Sequence, residues 1–191
     1  MMFFQMLCYN DSEPYFMMEV LVMSQFQSIA PESLQDNFFS RIGKEWSLVT
    51  AGTADRFNTM TASWGGIGVL WNKNVAFTFI RQSRYTLSFV NDHDYYTLTF
   101  FGDEQKKALA YCGSHSGRDV DKTKETGLTP VFNKQAPYFA EADMVLVCRK
   151  LYRQTMTADS FLDPAAVDRW YGDNDWHEVF VGEIVEVLKK A

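Results

Sequence analysis

Basic residues, histidine and cysteine are all scarce in this 191-residue chain, and each scarcity removes a class of function. Eighteen Lys and Arg against 24 Asp and Glu give a formal net charge of -6, and no long stretch gathers the positive residues. Nucleic acid is therefore not an expected partner, because its binding draws on counterion release by grouped Lys and Arg. Cys8, Cys112 and Cys148 are far apart and make no CxxC pair. That argues against a disulfide framework and a zinc site, and leaves a reducing, cytoplasmic setting as the default. His93, His115 and His177 form no HxxxH or HExxH pair and no EF-hand loop is present, so no metal is expected. GxSxG, Walker A and GxGxxG are absent too.

Long apolar runs free of polar breaks are also missing. The opening "MMFFQMLCYNDSEPYFMMEVLVM" is broken by Asn10, Asp11, Glu13 and Pro14 and has no basic leader. It reads as neither a signal peptide nor a membrane span. Met23 begins a more ordinary start, "MSQFQSIAPESLQDN". Residues 1–22 are accordingly read as an extension, either poorly ordered or a misassigned start, with packing on a partner subunit as the alternative. Residues 23–191 read as one domain. An apolar share of 47%, with 16% aromatic, suffices for its core without staples.

What is present is strand-forming sequence. "EWSLVTAGT" (Glu45 to Thr53), "VAFTFIR" (Val75 to Arg81), "YYTLTFFG" (Tyr95 to Gly102), "DMVLVCRKLYRQTM" (Asp143 to Met156) and "HEVFVGEIVEVLK" (His177 to Lys189) are rich in β-branched and aromatic residues. Pro31 and Gly43 bracket an expected helix over Glu32 to Arg41. Two further helices are expected in "YTLSFVN" and in "DEQKKALAYCG", which ends at Gly113. No regular βαβ alternation is visible, so the expected class is mainly β, an antiparallel barrel with peripheral helices outside.

Three constellations carry chemistry, each weak alone. "FNTMTASWGG" offers Asn58, Thr59, Thr61 and Ser63 as donors and acceptors, with Ala62 and Gly65 allowing close backbone approach. That mixture suits a planar heterocycle, yet composition alone favours ordinary β-formers and a core Trp64. "RQSRYT" sets Arg81, Arg84, Tyr85 and Thr86 where a strand gives way to a helix, with orphan backbone N–H groups beside two guanidiniums. A phosphate fits there, and so does a merely solvated strand end. "YCGSHSGRDVDKT" has turn glycines Gly113 and Gly117 among Ser114, Ser116, Arg118 and Lys122, possible partners of an oxyanion. Cys112 reads as a packing residue, and His115 as solvated. His177 enters the last strand, where a histidine of ordinary pKa can orient or protonate a substrate.

Taken in order, "WSLVTAG", "FNTMTASWGGIGVLWNKNVAFTFIRQSRYT", "YCGSHSGRDVDKTKETGLTPV", "CRKLY" and "DWHEVFVGEIVEV" resemble the flavin reductase-like, FMN-binding split-barrel family, in its flavoredoxin-like branch. The resemblance runs from about Ser28 to Lys190. It implies a six-stranded antiparallel split barrel, a homodimer, and one FMN per subunit near the dimer interface. By position, Asn58, Thr59, Met60, Thr61, Ala62, Ser63 and Trp64 would wrap the isoalloxazine and ribityl chain. Arg81, Arg84, Tyr85 and Thr86 would hold the phosphate end, and Ser116, Gly117 and Lys122 would close over it. His177 would face nicotinamide or substrate. The implied activity is electron transfer from NAD(P)H through FMN to a free-flavin or protein acceptor. A flavoredoxin-type carrier that does not itself oxidise nicotinamide is the rival, and a non-catalytic FMN-binding module a third reading. The first residues depart from the family pattern.

Overall fold

The computed structural model describes residues 25–191, so the expected extension over residues 1–22 lies outside the described residues. The strands are β1 (Phe26–Ile29), β2 (Ser47–Gly52), β3 (Phe57–Ala62), β4 (Gly65–Leu70), β5 (Lys73–Arg81), β6 (Tyr95–Phe100), β7 (Pro130–Val131), β8 (Tyr138–Phe139), β9 (Met144–Thr155) and β10 (His177–Lys190). The helices are α1 (Phe38–Ser40), α2 (Thr86–Asp92), α3 (Lys106–Ser114), α4 (Lys122–Thr126) and α5 (Pro164–Trp170). Eight strands make one sheet in the order β3-β2-β6-β9-β10-β5-β4, with β1 also on β10. Every pairing is antiparallel.

The split arises along β10. Its first half, His177 to Glu183, pairs with β5 from Arg81 to Val75. Its last residues, Val187 to Lys190, pair instead with β1, while β9 follows the opposite edge. The β10–β9 register shifts between Val181 and Gly182 and again between Ile184 and Glu186. Such irregularities bend a strand and re-aim it. Gly182 is required at the first of them, because a Cβ there would stand 2.5 Å from the Tyr96 hydroxyl.

The central strands are covered on both faces, which is why β2 is buried along its whole length rather than in alternation. Val49, Met60, Ile80, Leu98, Leu146 and Phe180 form the inner core. Leu48, Val145 and Val147 point the other way, into a second core with Leu109 and Cys112 of α3. Each such aliphatic or aromatic side chain contributes about 1.5 to 3 kcal/mol when fully buried.

The mainly β barrel with external helices is as expected, but the sheet has eight strands where six were implied. "FNTMTASWGGIGVL", absent from the expected strands, forms two strands flanking Ser63 and Trp64, and β1 adds to β10. The β4–β5 hairpin closes on Trp71 and Asn72, both at positive φ (50° and 60°), between the paired residues Leu70 and Lys73. Such two-residue turns match the twist of the strands they join. The helix expected over Glu32 to Arg41 is absent. A single turn at Pro31–Ser33 ends, and the extended Asn37 takes the amides of Phe39 and Ser40 on its side chain. Helical geometry restarts there and widens into a π-type turn over Arg41–Glu45. Gly113 lies inside α3, not beyond it, where a Cβ would come 3.3 Å from Thr61.

Candidate functional site

Among the described residues β3 ends the sheet, and one of its edges has no strand partner. Along it run two adjoining cavities, of about 240 and 190 Å³, which share Met60 and Arg84. The first is aromatic: Thr61, Ala62, Ser63, Trp64, Phe79, Arg81, Trp170 and His177 complete its wall. The second is cationic and hydroxylic, with Asn58, Tyr85, Thr86, Ser116, Gly117, Arg118 and Lys122. A third cavity continues from it past Asn58, Gly117 and Lys122 to Thr59 and Arg56. The residues that the resemblance assigns to the flavin, with His177, line these three adjoining cavities, brought together from β3 and the residues after it, the β5–α2 junction, the loop after α3 with the start of α4, and the start of β10.

The cationic end is set by pairing, or its absence. Arg41, Arg81, Arg149 and Arg153 each lie against a carboxylate. Among the described residues Arg56, Arg84, Arg118 and Lys122 pair with none. Lys122 is only 6% exposed, and donates from Nζ to the carbonyls of Thr59 (2.7 Å) and Cys112 (2.8 Å). An ammonium has three donors, so one remains. Burial first, and repulsion from Arg84 after it, lower the Lys122 pKa, with Cys112 opposing. Arg84 donates to the Gly113 carbonyl at 2.7 Å. Such a buried, carboxylate-free cation favours an anion beside it.

Other predicted residues take parts the sequence did not show. The Thr59 hydroxyl turns inward to Thr50 and the Val49 carbonyl, so only its backbone faces this edge. Asn58 donates to Thr86 at 2.8 Å and rests on Gly117, where a Cβ would meet its Oδ1 at 1.9 Å. Tyr85 accepts from Arg56 at 2.6 Å and lies under Arg118, 4.6 Å from the ring centre. Of the expected orphan amides at the start of α2, those of Leu87 and Ser88 are engaged, donating to the carbonyls of Arg84 and Tyr85. Arg81 binds the carbonyls of Asp175 and Trp170, both at 2.8 Å, with Asp173 and Asp175 carboxylates 3.7 and 3.8 Å away. It clasps the segment before β10 and sits at the aromatic end.

His177 is 6% exposed, its ring 5.3 Å from Trp64 and its Nδ1 2.8 Å from the Tyr171 hydroxyl. Burial, then the Arg81 guanidinium, push its pKa down to about 4. That leaves it neutral near pH 7, a state suited to orienting a substrate by hydrogen bonding. Cys112 is fully buried, and burial raises its thiol to about 11, in keeping with a packing residue.

Sequence reasoning missed Phe79, Arg56, Trp170 and Tyr171. Trp170 edges onto Trp64 with ring centres 5.1 Å apart. It comes from α5, whose start is marked by Asp163 capping Ala165 and by Pro164 in the first turn. That signal was present in "DPAAVDRW". α4 was equally legible, Asp121 capping its start and Gly127 ending it at φ 73°.

Residues 39–191 match the family model of the flavin reductase like domain. Among solved structures, a flavoredoxin from Methanosarcina acetivorans is similar at TM-score 0.59 and 22% identity, over 76% of this chain and 68% of that one. An FMN-binding domain of a flavin reductases-like enzyme from Shewanella baltica aligns at TM-score 0.62 and 14% identity, over 86% and 77%. An NADH:FAD oxidoreductase from Streptomyces globisporus aligns at TM-score 0.56 and 17% identity, over 76% and 74%. No curated protein sequence matches the chain.

Proposed function

This chain belongs to the flavin reductase-like domain family, and on that premise we propose that it binds FMN along β3 and acts as an oxidoreductase, drawing electrons from NAD(P)H. The observation that carries the reading is the pair of buried or half-buried cations without carboxylates, Arg84 and Lys122, at one end of a groove whose other end is aromatic. A ligand with a phosphate and a flat ring satisfies both ends. When bound, FMN would supply the redox chemistry linking the nicotinamide to a free-flavin or protein acceptor.

The chain's own residues bind and shield. Arg84 and Lys122 meet the phosphate charge, with the hydroxyls of Ser116, Tyr85 and Thr86 as further donors. Gly117 lets the loop after α3 lie against Asn58. Met60, Thr61, Ala62 and Ser63 flank the ring end, where Trp64 and Trp170 exclude water. His177 offers a neutral hydrogen bond.

We also assign a homodimer. Phe39 is 94% exposed, on an apolar hollow of about 580 Å³ that shares Ser63 and Trp64 with the aromatic cavity. A second copy there would shelter both hollow and site, and sedimentation of the purified protein reads the assembly directly.

One observation favours the flavoredoxin-type carrier. The aromatic cavity holds only about 240 Å³, bounded by the Trp64–Trp170 contact, which leaves little space for a second ring. Anaerobic stopped-flow with NADH and with NADPH separates the readings. Flavin bleaching by either supports the reductase, and none by both supports the carrier.

A further inference from the structure

Between β9 and β10 the chain makes an excursion over residues 156–176 whose end is held tightly against the aromatic cavity. Arg81 binds the carbonyls of Trp170 and Asp175, Gln82 donates its amide to the Trp176 carbonyl, and the Asp175 carboxylate takes the amide and hydroxyl of Ser83. Inside this clasp lies Tyr171. Trp176 stacks on its ring at 4.7 Å and 10°, and the Arg81 guanidinium lies 5.4 Å from its centre. These contacts hold the phenol ring from both faces.

It meets His177 Nδ1 at 2.8 Å, in an edge-on arrangement with ring planes at 90°. The second contact of the hydroxyl is the Met156 sulfur, at 3.5 Å. Two proton arrangements satisfy this geometry. In one, the phenol donates to Nδ1 and the imidazole carries its proton on Nε2. In the other, Nδ1–H donates to the phenol oxygen, whose own proton must go to the thioether. An imidazole nitrogen is a far better acceptor than a thioether sulfur, so the first arrangement wins. Burial raises the phenol's pKa, so it keeps its proton, and His177 stays neutral. Burial sets that neutrality first, Arg81 and more weakly Arg84 add to it, and Asp175 opposes. Glu178, next in sequence, is turned to Arg153 and Thr155 instead.

We propose that Tyr171 is a positioning residue that locks His177 as its Nε2–H tautomer, presenting one fixed neutral donor to a carbonyl oxygen of a planar ligand in the aromatic cavity. No described residue takes the Nε2 proton, which leaves it for that ligand. Identification of the ligand with the carboxamide of a nicotinamide rests on the reductase reading above; on the carrier reading the donor serves a carbonyl of the flavin ring. The tautomer rests on neither.

The test is a long-range 1H–15N correlation spectrum of histidine-labelled protein without cofactor, between pH 5.5 and 8, roughly the range over which an ordinary histidine titrates. With three histidines in the chain, assignment is direct. The proposal expects His177 to show a bare Nδ1 and a protonated Nε2 throughout. Tyr171→Phe should shift it toward a mixture of tautomers, and Met156→Leu should leave it as in the wild type. A protonated Nδ1 in the wild type, or an unchanged tautomer in Tyr171→Phe, overturns the proposal. In FMN-loaded protein Tyr171→Phe should raise the KM for the nicotinamide roughly fivefold to tenfold, the size of one neutral hydrogen bond, with FMN affinity within about twofold. A KM unmoved would overturn the assigned recipient. Failure of the wild type to bind FMN would instead strike the reading above and leave the tautomer result standing.

Discussion

Replacing Arg84 by Ala asks whether the cationic cavity is a phosphate site. Arg84 is half-buried, bonded only to the Gly113 carbonyl, and free of any carboxylate. Its removal forfeits one charge-assisted hydrogen bond to a backbone carbonyl within the protein, about 1.5 kcal/mol of stability. Toward a phosphate it forfeits a charge-assisted bond of about 1.5 to 3 kcal/mol. At about 1.4 kcal/mol per decade, the Kd for FMN should rise on the order of 10- to 100-fold. Riboflavin lacks the phosphate, so its Kd should change by less than about twofold on the same reasoning. Isothermal titration with both ligands, at low and high salt, measures the difference, and the wild type should lose more FMN affinity to salt than the variant does. Arg81→Ala is the contrast. Because Arg81 holds Trp170 and Asp175 in place, its loss should weaken both ligands together. Equal losses of FMN and riboflavin in Arg84→Ala would refute the phosphate assignment.

Gly117→Ala places a methyl 1.9 Å from Asn58 Oδ1, so the Asn58–Thr86 bond must break. A loss of about 1 to 3 kcal/mol in urea unfolding, with weaker FMN binding, is expected. His177, with a folded pKa of about 4 against 6.5 unfolded, is disfavoured in acid: the unfolded chain takes up its proton first. Its contribution is constant above about pH 6.5 and is lost as pH falls toward 4, up to about 3 kcal/mol, so His177→Gln should flatten the acid limb of the stability profile. Burial holds both Cys112 and Cys148 as thiols, so peptide mapping after alkylation of the native protein near pH 7.5 should find neither modified.

The strands were legible because β-branched and aromatic residues carry local preference whatever lies across the sheet. The doubling of "FNTMTASWGGIGVL" into β3 and β4 was not, since its hydroxyls and glycines signal a turn as strongly as a strand. Within β3 the residue types were visible while their facing was not. Strand parity turns the Thr59 hydroxyl into the sheet and leaves its carbonyl for Lys122. Arg81 and Arg84, three residues apart, read alike, yet Arg81 answers to carbonyls and carboxylates some 90 residues along the chain. The shift of His177 depends on burial and on Arg81, neither of which its neighbours in sequence reveal. The helix restart at Asn37 shows the reverse case, a local cap that overrides the bracketing Pro31 and Gly43.

The absorption spectrum of the purified protein, before and after incubation with FMN and gel filtration, tests the central claim most directly. The account predicts a yellow protein retaining about one FMN per chain, with flavin bands shifted and tryptophan emission quenched by the ring beside Trp64 and Trp170. A colourless protein that emerges without flavin after incubation would contradict it.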